Sequence, residues 1–321
     1  MNSLERENWL KERKTYIGGS DIGAIVMGTV IADCRENGST TEFNGKTYKT
    51  AVDVYLDKTS DEIKEINSNA IYWGNALEGP VAQAYSERTV FAVEVEPNLL
   101  RHKEYPFVAA NIDRWANGKN HILECKTAGF MMSKYWGAEG TDEIPDSYKC
   151  QVAYYSAITG VPKVDIAVLI GGNDFRIYTY IKDEDFENKL IQVAVNFWNN
   201  HILTNTPPEA ISTNDFLALH PKSQNIEVVA DEEIVKKWSA LKVLKEQEKD
   251  TSKTINDYNF EIKKFMKDAG VLIDKEGHRL VTWNSSKPRI VFDSKKFQSE
   301  NADLYIKYAK EGQASRTFLI K

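Results

Sequence analysis

A chain of 321 residues with 42% hydrophobic and 11% aromatic residues has the composition of a soluble globular protein, long enough for one large domain or a domain plus an accessory module. No apolar run reaches the roughly 18 residues of a membrane span, and the charged start at residues 1–7 lacks the apolar core of a signal peptide. The net charge of −6 excludes a protein coated in basic surface, so any nucleic-acid binding has to come from a local positive groove, with bound metal offsetting site carboxylates. Cys34, Cys125 and Cys150 show no Cys-x-x-Cys spacing, which argues against a zinc site or a disulfide framework and suits a reducing cytoplasm.

Taken in chain order, residues 3 to 14 predict a short amphipathic helix with Leu4, Trp9 and Leu10 partly on one side. Gly18-Gly19-Ser20-Asp21 ends it and starts another helix, with Ser20 or Asp21 as N-cap. Residues 35 to 49, rich in Asn, Gly, Ser and Thr, read as an exposed loop or small hairpin. Residues 70 to 88 look helical, either kinked at Pro80 or beginning near Gly79. Strands are predicted at 91 to 96, 105 to 112 and 120 to 126, then a helix from Ser147 to Thr159 closed by Gly160. Val164 to Ile170 and Phe175 to Ile181 form a hairpin, and Asp183 to Leu203 an amphipathic helix burying Phe186, Leu190, Val193, Phe197 and Trp198. This order suits an α/β (α+β) fold, a mixed central β-sheet flanked by helices.

Thr206-Pro207-Pro208 and the polar stretch around Pro221 mark a boundary between a core of residues 1–215 and a C-terminal module of residues 216–321. In the module, Asp231 to Ala269 is a charged helical segment with apolar residues at helical spacing, read as a helical hairpin or packed arm. Leu280 to Trp283 and Arg289 to Phe292 read as a small β-hairpin, Asp293 or Ser294 as a helix cap, and Thr317 to Ile320 as a closing strand. Residues 275 to 321 carry ten basic and five acidic residues, a positive end on an acidic chain that suggests contact with DNA or with an acidic partner surface; a purely structural cap fits equally well.

The chemistry concentrates between Asp113 and Lys126. Asn117-Gly118 supplies positive φ for a tight turn, so Asp113 lies across a hairpin from Glu124 and Lys126. Alternation along the strand points Glu124 and Lys126 one way and Leu123 and Cys125 into the core. Two hard oxygen ligands beside an ammonium match a site where Mg²⁺ activates water for phosphodiester hydrolysis. On these three residues alone a solvated hairpin face is the favoured reading. Likewise Arg13 with Ser20 is by itself an exposed Arg beside an N-cap, although Gly18-Gly19 would let backbone approach an anion. Glu78 alone is a solvated helix carboxylate, Gln151 a solvent-facing amide, and Trp115 a core residue.

Other segments change that weighting. Residues Arg13-Lys14-Thr15-Tyr16-Ile17-Gly18-Gly19-Ser20-Asp21-Ile22-Gly23 resemble the opening motif of the YqaJ-type viral recombinase family, related to the phage lambda exonuclease within the PD-(D/E)xK nuclease superfamily. Gly74 to Glu78 resembles its Gly-x-x-x-Glu helix, the Asp113, Glu124 and Lys126 set its core, and Gln151 to Tyr155 its Gln-x-x-x-Tyr element. Ile112 stands where the motif commonly has Pro. The resemblance covers about the first two thirds of the chain and implies a restriction-endonuclease-like core; the three cysteines argue against the superfamily's four-cysteine iron–sulfur variants. It implies Asp113 and Glu124 as primary ligands of Mg²⁺, with Mn²⁺ a possible substitute, the Cys125 carbonyl as a further oxygen, and Glu78 on a second metal or its water. Arg13, Ser20 and Gln151 would hold a 5′-phosphate. The implied activity is a 5′-to-3′ exonuclease on double-stranded DNA ends, leaving 3′ overhangs for a RecT/Beta-like annealing protein. By the same analogy it forms a homo-oligomer, a ring-shaped trimer, acts in the cytoplasm of a bacterial host cell, and is encoded by a phage or prophage. The alternatives are an endonuclease of the same fold and a catalytically inactive DNA-end-binding scaffold, against which the intact Asp113, Glu124 and Lys126 argue.

Overall fold

The computed structural model describes residues 3–37, 42–45, 47–63, 68–310 and 316–320. The chain divides into two compact units, Met1–His220 and Pro221–Lys321. Unit 1 opens with α1 (Ser3–Arg13) and α2 (Gly19–Asn37). Neither Ser20 nor Asp21 is the N-cap of α2. Asp21 instead stands at the third helical position and turns its carboxylate back to accept the Gly18 N–H at 3.0 Å, the returning half of a capping box. α2 runs to Asn37, into the stretch read as loop; residues 38–41 and 46 of that stretch lie outside the described residues.

α3 (Ala51–Thr59) starts at a full capping box between Thr50 and Asp53. α4 (Asn69–Thr89) is one helix through Pro80, not a helix beginning near Gly79. Pro80 is exposed, and the turn after it buries Val81, Ala82 and Tyr85, which offsets the missing backbone bond. There follow β1 (Val93–Val95), β2 (Leu100–Arg101), β3 (Ala109–Ala110), β4 (Arg114–Ala116), β5 (His121–Ala128), a 3₁₀ turn Phe130–Tyr135, and α5 (Asp146–Thr159). Then come β6 (Lys163–Ile170), β7 (Asp174–Ile181), α6 (Glu184–Phe197), a π turn Trp198–Ile202 and α7 (Thr213–Leu219).

The strand expected over 105–112 shrinks to Ala109–Ala110, paired with β2. Pro106 has no donor to give, Val108 N–H closes a turn onto the Tyr105 carbonyl, and Ile17 bridges Val108 in parallel. The main sheet runs β1-β4-β5-β6-β7. β5 and β6 are parallel, joined across α5, and the other pairs are antiparallel, so the sheet is mixed. One face packs the larger core, with Ile22 and Ile25 of α2, Val152 and Tyr154 of α5 and Leu190 and Ala194 of α6 over Ile122, Val164 and Ile166. On the other face Val81, Ala82 and Tyr85 of α4 cover Leu123, Ala116 and Ala167. The α/β expectation of a mixed sheet flanked by helices holds.

The division falls after His220 rather than after residue 215 because α7 is fastened to the core. Asp215 is buried and accepts from the Thr50 hydroxyl at 2.7 Å and the Ile211 N–H at 3.1 Å. Unit 2 carries α8 (Glu232–Met266), a single 35-residue helix rather than a hairpin, with no Gly or Pro to turn it. β8 (Val271–Ile273) pairs with β9 (Arg279–Thr282) through a turn in which Asp274 accepts the N–H groups of Glu276 and His278. The expected partner strand at 289–292 does not form, nor does a strand at 317–320. α9 (Ser294–Glu300), capped by Asp293, and α10 (Ala302–Tyr308) complete the unit. Among the described residues no helix is long and apolar enough to cross a membrane.

Candidate active site

β4 and β5 are antiparallel, with Arg114 opposite Leu123 and Ala116 opposite His121, and the connection takes positive φ at Asn117, Gly118 and Lys119. Asp113 precedes β4, so its carboxylate faces the unpaired edge of β5 beyond Leu123. There Asp113 Oδ2 accepts the Cys125 N–H at 2.8 Å. Glu124 and Lys126 lie on the α5 side of β5, while Leu123 and Cys125 pack toward α4 as the period of two requires. Lys126 Nζ donates to Glu124 Oε1 at 2.5 Å and to Gln151 Oε1 of α5 at 3.1 Å. Gln151 Nε2 donates to Glu124 Oε1 at 2.8 Å and to the Tyr155 hydroxyl at 2.7 Å. Gln151 is therefore a buried bridge, not a solvent-facing amide. Lys126 also lies over the ring of Tyr148, one turn before Gln151 on the same helix.

A cleft of about 240 Å³ is lined by Gly74, Asn75 and Glu78 of α4, Asp113, and Glu124 to Thr127 of β5. Burial, then the neighbouring Glu124 carboxylate, raise the Asp113 carboxyl well above its usual range, against the pull of Lys126 and the Cys125 N–H. Burial disfavours the charge on Lys126, yet Glu124 and Asp113 hold its ammonium protonated above the usual value. Burial, followed by Asp113 and Glu124, pushes the Cys125 thiol up, so it stays protonated and offers no thiolate. The Cys125 carbonyl remains the only plausible contribution of that residue to a hard cation.

The residues fit such an ion in part. Glu124 Oε2 is buried and, among the described residues, has no hydrogen-bond partner, and a second crowded carboxylate stands beside it. A desolvated acceptor next to a carboxylate with raised proton affinity calls for a cation. Glu78 is different. Its carboxylate pairs with Arg114 at 2.5 Å, and Arg114 also donates to the Asp113 carbonyl at 2.6 Å. The ligand atoms of Glu78, Asp113 and Glu124 are not gathered within 4.8 Å; among the described residues that distance is met by Asp274, Glu276 and His278 in the exposed β8–β9 turn, where the turn's own bonds account for the grouping.

Arg13 and Ser20 line a second, smaller cavity with Trp9, Tyr16, Gly18, Gly19, Asp21, Asn111 and Tyr155. Arg13 stacks on Trp9 at 4.8 Å and donates to Ser20 Oγ at 3.3 Å. Gln151 does not line this cavity; Tyr155, its hydrogen-bond partner, does, and so joins the two. Arg114, Tyr148, Asn111 and the lysines around Asp21 join the residues expected from the sequence. Tyr148, Gln151 and Tyr155 recur at helical spacing, a signal that was available for one of them.

The family model of the YqaJ-like viral recombinase domain matches residues 8–162. A relative in Bacillus subtilis (strain 168), the uncharacterized protein YqaJ, is 30% identical over 325 residues, covering 97% of this chain and 92% of its own. The chain belongs to the YqaJ-like viral recombinase family. The matched part of this YqaJ-like chain holds both cavities, and β6 and β7, which follow it, complete the five-stranded sheet beside β5. Similar solved structures include an alkaline exonuclease from Laribacter hongkongensis, 14% identical with a TM-score of 0.42, covering 60% of this chain and 91% of that one. Another is a phage-related exonuclease from Haemophilus somnus 129PT, 13% identical with a TM-score of 0.42, covering 59% of this chain and 96% of that one.

Proposed function

We propose that this YqaJ-like protein is a metal-dependent deoxyribonuclease that digests linear double-stranded DNA from 5′ ends and leaves 3′ overhangs. The observation that carries the reading is the buried Glu124 Oε2, without a hydrogen-bond partner among the described residues, beside Asp113 and the Lys126 ammonium. Asp113, Glu124 and the Cys125 carbonyl would hold Mg²⁺, or Mn²⁺ in its place, and the ion would lower the pKa of a water and polarise the phosphoryl oxygens. Lys126, kept protonated by its carboxylates, donates to a phosphoryl oxygen and offsets negative charge as it develops. Gln151 fixes the Lys126 and Glu124 rotamers through two hydrogen bonds, and Tyr155 fixes Gln151. Arg13 and the Ser20 hydroxyl receive a terminal 5′-phosphate, with the start of α2 adding backbone N–H groups.

The 3′ overhang suits a RecT/Beta-like annealing protein as partner, and a ring-forming homo-oligomer is the assembly proposed for tracking a duplex. Digestion of 5′-phosphorylated and 5′-hydroxyl linear duplex, with Mg²⁺, Mn²⁺ or EDTA, tests this function. Fast loss of the phosphorylated substrate with either metal and none with EDTA is the expected result. Nicking of covalently closed circles at a comparable rate would point to an endonuclease instead.

A further inference from the structure

Asp21 is 1% exposed and is a carboxylate in the wall of a cavity read here as receiving a phosphate. Such a group repels the ligand unless it is neutralised, and it is neutralised twice. Lys58 of α3, its side chain wholly buried, reaches Asp21 Oδ2 at 2.9 Å, and Lys49, less deeply buried, pairs with Oδ1. Asp21 Oδ2 also accepts the Gly18 N–H, while Lys58 Nζ donates to the Arg13 carbonyl at 2.6 Å. A second lysine runs the same way: Lys14 Nζ donates to the carbonyls of Asp57 and Ser60 at the end of α3, at 2.6 and 2.8 Å. The end of α3 is thus tied to both ends of the segment 13–21 that carries Arg13 and Ser20.

Replacing a buried ion pair with apolar groups is often neutral in stability, because desolvation consumes most of the Coulomb gain. What such a pair supplies is fixed geometry. Counting Arg13, Lys49 and Lys58 against Asp21 and Asp57, whose carboxylate lies 3.7 Å from Lys58, the cluster keeps an excess of one positive charge, which suits a phosphate monoester carrying about −1.5 to −2 at pH 7 better than an internal diester.

We infer that the Lys49–Asp21–Lys58 cluster is the positioning device of the end pocket, fixing the Arg13 and Ser20 walls at the spacing that selects a terminal phosphate. This rests on the 5′-end reading proposed above, and Asp21, Lys49 and Lys58 act through Arg13 and Ser20 without touching the reacting atoms.

Asp21→Asn separates positioning from charge, because the two predict opposite signs. Removing a carboxylate from an anion pocket raises its positive potential, so a pocket working by charge alone would gain preference for phosphorylated ends. A positioning cluster would lose it. The measurement is the ratio of kcat/KM for 5′-phosphorylated over 5′-hydroxyl linear duplex, expected to fall about tenfold. Should Asp21→Asn melt too low to assay, the charge-balanced double variant Asp21→Asn with Lys58→Met restores folding, and the ratio stays low. A ratio equal to or above wild type in a folded variant overturns the inference and leaves the end reading intact. A wild-type ratio near one overturns the end reading and the inference with it.

Discussion

Gly19 lines the Arg13–Ser20 cavity and lies against Tyr155 and Gln151, and Gly19→Ala tests whether that packing sets activity. A Cβ there would sit 2.4 Å from Tyr155 Cε1, 3.0 Å from its Cζ and 3.1 Å from Gln151 Cγ. Carbon atoms rest at about 3.5–4.0 Å, so the Tyr155 ring has to retreat by roughly 1 Å. It is 3% exposed and packed in the larger core, which leaves it little room. Overpacking of this kind costs about 1–3 kcal/mol. The opposing gain is helix propensity, at most about 1 kcal/mol for Ala over Gly. Sterics win, and the melting temperature should fall by a few degrees, at about 2–4 °C per kcal/mol for a domain of this size. Activity should fall further than stability. Moving Tyr155 moves Gln151 and, through it, Lys126 and Glu124, and a displacement of about 1 Å at reacting groups costs about 100-fold. The assay is initial nucleotide release from 5′-phosphorylated linear duplex, alongside a melting curve. Adding Tyr155→Leu to the same chain should recover stability but not rate. A Gly19→Ala variant that melts at or above wild type and keeps its rate within a factor of two would show that the Gly19–Tyr155 contact does not hold the site in place.

Two further outcomes follow from the charges of the two sites. Saturating Mg²⁺ should raise the melting temperature of the wild type, by about 2.7 kcal/mol of stabilisation at a hundredfold excess over Kd. Asp113→Asn and Glu124→Gln should each abolish that increment together with nuclease activity, and a full increment in either variant would remove that residue from the metal set. Burial works against the charge of Asp21, but Lys58, Lys49 and Arg13 hold its carboxyl well below the ordinary value of 3.8. The folded state therefore binds fewer protons than the unfolded one, and stability from this group is full above that value and drains away as pH falls below it. Wild type should exceed Asp21→Asn in melting temperature most at neutral pH, with the gap narrowing below about pH 4 in a pH-resolved melting series; a gap that widens on acidification would contradict the ion-pair assignment.

Features that depend on neighbours along the chain were legible in the residues alone. A period of two put Glu124 and Lys126 on one side of β5, Asn117-Gly118 made the turn that returns Asp113 to it, and Gly160, at φ 76, ends α5. Motifs at a distance were legible because each keeps its own local spacing. Contacts between distant elements were not. Asp21 reads locally as an N-cap and becomes the centre of a buried ion cluster only when α3 brings Lys58 beside it. Glu78 reads locally as a solvated helix carboxylate until β4 presents Arg114 to it, and the apolar, strand-like residues 289–292 find no partner strand. A local pattern fixes backbone φ/ψ and the face a side chain takes. Which charge or strand meets that face is set by packing between elements far apart in sequence, where burial makes the choice of partner costly to change.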